Sequence, residues 1–207
     1  MVTKNKNQIS RERSISALSE AAFSLINERG YHATSLEAIA KEAGLTKGSI
    51  YFFFGSKEKL IEHLFEIVRK EVLEPQLVAF DEAQGCFVDK VVSYIHVGSL
   101  TGVERPGKLL FLIRMSIEFG TQDNPIGEGV RSLYERVYEK LEAAYDDERK
   151  KEGATLGPSA KVISSIVISL HDGMMLQYNL RRREITGEEL VRNVRMLVLN
   201  GLGSRPS

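Results

Sequence analysis

Gly44 stands between two short runs, TSLEAIAKEA and TKGSIYFF, with only Leu45 separating it from the second. Each run opens on a threonine whose hydroxyl can accept from the amides of a first helical turn. Thr34 and Glu37 have the spacing of a capping box, and Leu36, Ile39, Ala40 and Ala43 share one helix face. Ahead of them, from Ser10 to Arg29, Ile15, Leu18, Ala22, Leu25 and Ile26 recur with the helical period, closed by Gly30. A longer helix followed by two short ones joined through a glycine outlines a helix-turn-helix unit. The spacing predicts the last helix of that unit over Thr46 to Phe53. Gly55-Ser56 then breaks it before a further helix carrying Leu60, Leu64, Ile67 and Val68 towards Pro75.

In such a unit the second short helix enters the DNA major groove, leading with its N-terminal residues. Here those residues are Thr46, Lys47, Gly48 and Ser49, all small or cationic, as close approach to bases and phosphates requires. Behind them come Tyr51, Phe52, Phe53 and Phe54 in a row. Neighbours on a helix point about 100° apart, so four consecutive rings cannot all face one core. Charge agrees in direction. The net charge is zero, yet residues 1–60 carry nine Lys/Arg against six Asp/Glu, which leaves 19 against 22 for the remainder. A basic head on a more acidic body points to a polyanionic partner.

The run YHATSLEAIAKEAGLTKGSIYFFFGSKEKL, Tyr31 to Leu60, resembles the DNA-binding segment of the TetR family of transcriptional regulators. The resemblance rests on Thr34-Ser35, Ile39-Ala40, Ala43-Gly44-Leu45-Thr46-Lys47-Gly48, Tyr51 to Phe54, and Ser56-Lys57, and it covers roughly residues 10–70. It implies phosphate contacts from Tyr51, Lys57 and Thr34 and a core role for Phe54; Lys47, at the leading end of the helix, can reach guanine acceptors. Phe52 and Phe53 stand where the family often carries Tyr or His; a phenyl ring cannot donate, and apolar contact with a thymine methyl is the alternative. The basic residues Lys4, Lys6, Arg11 and Arg13 read either as a groove-reaching arm or as a solubilising tail.

The remainder reads as further helices: Phe87 to Leu100, Leu109 to Phe119, Gly127 to Lys151, one after Pro158, and Gly187 to Asn200. By resemblance this body, residues 75–203, binds a small effector and forms a homodimer through its last long helices. Ser165, Ser169 and Gly173 recur every four residues, a stripe that permits close helix approach beside Ile163, Val167, Leu170 and Met174. An effector pocket among the central helices would draw on Tyr94, His96, Arg114, Met115, Glu118, His171, Met175 and Tyr178. Arg114 and Glu118 are also spaced to pair with each other.

Other classes find little support. His32, His63, His96 and His171 are isolated, without metal-ligand spacing, and no glycine-rich phosphate loop follows a strand, so no enzyme, metal or cofactor is expected. The single Cys86 cannot form an internal disulfide and fits a reducing cytoplasm. No apolar run approaches the roughly 18 residues of a membrane span, and MVTKNKNQISRERS does not read as a secretory signal. The expectation is an all-α protein with an N-terminal three-helix unit at 10–70 (helix-turn-helix about 34–53) and a larger helical body. It would act as a dimeric, ligand-responsive repressor on a double-stranded DNA operator, with an apolar or aromatic effector. A DNA-binding protein without an effector, architectural or recruiting, is the alternative.

Overall fold

The computed structural model describes residues 6–153 and 157–202, and every regular element among them is helical. Lys4 of the basic N-terminal run lies outside the described residues. The chain packs as two units. One joins the described residues up to Glu66 with Phe111–Val130; the other joins Ile67–Leu110 with the described residues from Arg131 onward.

In the first unit, α1 (Lys6–Arg29) buries Leu18, Ala22, Leu25 and Ile26 of the face read from the sequence, together with Phe23, while Ile15 is half-buried. The helix begins early enough to include Arg11 and Arg13, so these are helical surface residues and not a tail. Helix α2 (Leu36–Glu42) buries Leu36, Ile39 and Ala40, and α3 (Lys47–Phe54) buries Ile50. Between them Gly44 adopts φ +69°, a left-handed conformation that a side chain would strain. Helix α4 (Lys57–Val68) closes the unit with Leu60, Ile61 and Leu64. Residues Phe111 to Phe119 of α7 (Pro106–Phe119) supply the rest of this core. The Phe111 ring is fully buried, edge-on to Phe23 at 5.0 Å and near Phe65 at 5.9 Å. Truncating such a ring to alanine typically costs about 3–5 kcal/mol. This packing draws 111–130 into the first unit, whereas the division read along the sequence runs 10–70 and 75–203. Ile117 of the same helix is exposed.

The second unit opens on a π-helical turn, Arg69–Leu73, followed without a break by α5 (Glu74–Glu82). Helix α6 (Phe87–Glu104) is its centre, packed on α5, α9 (Ala160–Arg181) and α10 (Gly187–Leu202). Helix α8 (Pro125–Glu152) adds Leu133, Val137 and Leu141 from its apolar stripe. Glu71 in the π turn accepts from Arg105 at 2.8 Å and Lys108 at 2.6 Å, which ties the end of α6 and the start of α7 to that turn. Among the described residues no helix is long and apolar enough to cross a membrane.

Candidate nucleic-acid interface

The reading edge begins at two hydroxyl caps. Thr46 accepts from the Ser49 amide at 3.1 Å, and its hydroxyl meets that of Ser49 at 2.9 Å, so α3 starts where the sequence predicts. The cap of α2 departs from the prediction. Ser35, not Thr34, accepts from the Ala38 amide at 3.1 Å. Thr34 is buried, and its hydroxyl donates to the Gly30 carbonyl at 2.8 Å and reaches the Leu25 carbonyl at 3.3 Å. The physical reason is the end of α1, whose last carbonyls have no helical partner and take the nearest hydroxyl. Thr34 therefore does not present its hydroxyl to DNA in this structure.

Thr46, Lys47 and Gly48 are exposed and Ser49 is half-buried. A Cβ on Gly48 would meet only the Thr46 hydroxyl, at an ordinary 3.7 Å, so nothing inside the chain requires glycine there. The Lys47 ammonium pairs with the Glu37 carboxylate at 2.6 Å and lies 5.6 Å from the centre of the Tyr51 ring. The Tyr51 hydroxyl donates to the same carboxylate at 3.5 Å. The lysine hydrogen bond holds Glu37 below the usual carboxylate range, and the carboxylate in turn raises the Lys47 pKa. Glu37, a residue the sequence reading used only as a helix-start acid, thus gathers the two principal candidates for DNA contact.

The aromatic row divides unevenly. Tyr51 is exposed and Phe52 is 80% exposed, the most exposed ring of the four. Phe53 is half-buried, with the Arg11 guanidinium 5.9 Å from its centre. Asn7, Ser10, Arg11 and Ser14 of α1 flank Phe52 and Phe53 to form a shallow, open groove. Phe54 is half-buried against His63 at 5.3 Å; the fully buried side chain of α3 is Ile50, so the plug expected of Phe54 falls to that residue. Lys57 is anchored inward. Its ammonium donates to the Tyr31 carbonyl and sits 3.8 Å from the centre of the Tyr31 ring. Burial lowers the Lys57 pKa, and the same burial, with Glu58 and Glu118 nearby, pushes Tyr31 up to about 12.

The candidates for a ligand pocket separate. Arg114, Met115 and Glu118 belong to the first unit, where Met115 is buried, Arg114 lies against Gly30 and Glu118 faces His32 at 3.3 Å. Arg114 and Glu118 thus each have a neighbour other than one another. Tyr94, His96, His171, Met175 and Tyr178 belong to the second unit. His96 is exposed on α6 because it falls one residue past the buried Tyr94 and Ile95. Tyr94 and His171 are buried with rings 5.6 Å apart, while Met175 and Tyr178 line a small cavity of about 100 Å³ with Val103, Pro106, Leu109 and Leu110. Ser165, Ser169 and Gly173 share an exposed face of α9, and the neighbouring stripe Ile163, Val167 and Met174 is buried.

A short helix, a glycine turn and a second helix with its leading end bare to solvent define a helix-turn-helix DNA-binding protein. Residues 18–64 match the family model of bacterial regulatory proteins of the tetR family. The MbdR regulator from Azoarcus sp. CIB is 31% identical, with 91% of this chain and 98% of that one covered and a TM-score of 0.78. The HTH-type transcriptional regulator AcrR of Shigella flexneri is 30% identical over 146 residues, 68% of this chain and 64% of that one. FadR from Bacillus subtilis, solved in complex with stearoyl-CoA, shares the fold at 18% identity and a TM-score of 0.72, covering 90% of this chain and 98% of that one. The chain belongs to the TetR family and is a DNA-binding transcriptional regulator.

Proposed function

We propose that the protein is a repressor that binds a pseudo-palindromic operator as a homodimer, in the cytoplasm, and releases it when a small effector occupies the helical body. The observation that carries this reading is the exposed seam on α9. Val162, Ile166, Ser169, Gly173, Leu176 and Leu180 follow one another at alternating steps of four and three and are all exposed. That is the spacing of a helix–helix seam, and Met196 and Leu197 of α10 are exposed as well. A chain with a single helix-turn-helix needs a second copy to read two half-sites in successive major grooves.

In this reading residues 10–70 hold the DNA and residues 75–203 hold effector and partner. Lys47 reads base edges, Thr46, Gly48 and Ser49 allow the approach, Tyr51 and Lys57 take phosphates, and Phe52 meets a thymine methyl. Ser165, Ser169 and Gly173 let the two copies of α9 approach. The effector is apolar or aromatic in the main, since Leu109, Leu110, Val103 and Met175 dominate the small cavity; the stearoyl-CoA complex of FadR supports an apolar ligand within this fold. The modest size of that cavity favours the second reading, a DNA-binding protein without an effector. Selection of genomic fragments by the purified protein, followed by operator titration with and without candidate ligands, tests both. A dimer that protects two half-sites and loses them to a ligand supports the proposal. Tight operator binding by a stable monomer overturns it.

A further inference from the structure

On α6, Gly98 and Gly102 lie against His171 and Met175 of α9. A Cβ on residue 98 would collide with both the Nε2 of His171 and the Oε1 of Gln76, so these two atoms face one patch of bare backbone. Both side chains are buried, Gln76 completely and His171 to within 2%. Among the described residues neither His171 Nε2 nor either polar atom of the Gln76 amide has a hydrogen-bond partner. Buried polar atoms are nearly always paired, and each exception asks for a cause.

The rest of the cluster is satisfied, and it fixes the chemistry of what is left. His171 Nδ1 lies 3.1 Å from one oxygen of Asp172, and the other oxygen accepts from the Tyr134 hydroxyl at 2.8 Å. With the Asp172 carboxylate accepting, a neutral His171 carries its proton on Nδ1 and keeps a lone pair on Nε2. Gln76 Oε1 is an acceptor too. With either orientation of the Gln76 amide, a carboxylate or ketone leaves the Nε2 lone pair unpaired and is disfavoured there. A cation would be desolvated without an opposite charge from either group. A hydroxyl donates to one and, should the Gln76 amide turn over, accepts from its NH₂. One turn further along the same two helices, Met175 covers Gly102 and also lines the apolar cavity with Val103, Leu109 and Tyr178. Met175 is unbranched and readily changes rotamer, so it can open that cavity towards His171 and Gln76.

We propose that the effector is a hydroxyl-bearing molecule with an apolar body, its hydroxyl paired with His171 Nε2 and the Gln76 amide once these side-chain ends swing off Gly98, and its body in the cavity lined by Met175. This rests on the effector reading above. Of these residues, only His171 and Met175 were in the sequence-derived pocket; Gln76 and Gly98 complete it.

The test uses benzyl alcohol, toluene and benzoate, three probes with one ring and different tips, titrated into the full-length protein by calorimetry. Benzyl alcohol should bind about tenfold more tightly than toluene, the usual effect of pairing otherwise unsatisfied buried groups. In Gln76→Leu that preference should shrink to about twofold or less. The ¹⁵N resonance of His171 Nε2, assigned by its loss in His171→Leu, should move with benzyl alcohol and stay with toluene. This readout on the wild type decides the matter if Gln76→Leu fails to fold. Equal affinities, a preference for benzoate, a preference unchanged in Gln76→Leu, or binding of none of the three overturns the proposal. Operator titration with the same probes separates the two readings. Hydroxyl-selective binding with undisturbed operator affinity keeps the subsite and removes the effector role. Operator release by a probe indifferent to Gln76→Leu does the reverse.

Discussion

Glu37 and Lys47 form a 2.6 Å ion pair across the glycine turn, joining the bracing helix to the reading helix. The pair is exposed at both ends, so it restrains Lys47 weakly in free protein and is open to competition from a phosphate or a guanine edge. A carboxylate on a DNA-facing edge also repels the backbone of every sequence alike. With Lys47 reading base edges as proposed, Glu37 would penalise indiscriminate binding, and a correct base contact would have to displace it.

The first prediction follows. Glu37→Gln should strengthen binding to random DNA by about two- to fivefold and the operator by less, which narrows the ratio between them. Lys47→Ala should lose roughly ten- to a hundredfold on the operator and much less on random DNA. Because the lysine hydrogen bond lowers the Glu37 pKa, its carboxylate is charged throughout the neutral range and protonates only as pH falls through that lowered value. The Glu37→Gln effect should thus be the same in weakly acidic and weakly alkaline buffer. Filter binding on both kinds of DNA checks it; a Glu37→Gln protein indistinguishable from wild type on random DNA defeats it.

Lys57 is expected to serve two roles. One of its three donors is committed to the Tyr31 carbonyl, and the ammonium rests on the Tyr31 ring, which leaves donors for a phosphate. Lys57→Met keeps the stem and removes the charge. It should cost about 0.5–1 kcal/mol of stability through the lost cation–π contact. It should also weaken operator and random DNA equally, with a salt slope lower by about one unit. Denaturation and salt titrations measure the two separately.

Thr34 should affect the fold and not the DNA. Thr34→Val keeps its shape but strips the hydroxyl from the Gly30 and Leu25 carbonyls, at about 1–3 kcal/mol. Thr34→Ser should recover most of that loss. Operator affinity per folded molecule should stay at the wild-type value in both; a selective fall in affinity would restore Thr34 to the interface.

Gly173 gives the sharpest test of the dimer. A Cβ at that position meets no atom of its own chain within 4 Å, so a larger residue fits the isolated subunit. Gly173→Leu should even favour the helix by roughly 0.5–1 kcal/mol. It should nevertheless raise the dimer dissociation constant at least about tenfold and lower operator affinity with it. Sedimentation at several concentrations reports the first and footprinting the second.

Helices were legible because local spacing determines them: the 3.6-residue period picks out the buried Leu18, Ala22, Leu25 and Ile26 of α1 and Leu36, Ile39 and Ala40 of α2, with Ile15 and Ala43 half-buried at their edges. What the sequence leaves ambiguous is which of two adjacent hydroxyls caps and which is buried. Thr34 and Ser35 look alike until the end of α1 is in place to claim one of them. Arg114, Met115 and Glu118 read as central in a helical body, yet their helix also serves the first unit, and no local pattern records where the chain returns. Gln76, in a short stretch behind Pro75, meets His171 and Gly98 only through three separate helices, so no spacing along the chain could have grouped them. Ten residues part Glu37 from Lys47, and the turn that unites them is the one feature the glycine did announce.

Gly48 has a consequence for anyone who evolves or redesigns this chain. Its place on α3 is open, and alanine fits there with a helix-propensity gain of up to about 1 kcal/mol. A library sorted on melting temperature without DNA would therefore enrich Gly48→Ala and count it an improvement. On the proposed role of Gly48 in the approach to DNA by a repressor, the same library sorted on silencing of a reporter would discard it. Selection for durability and selection for gene control pull this single position in opposite directions.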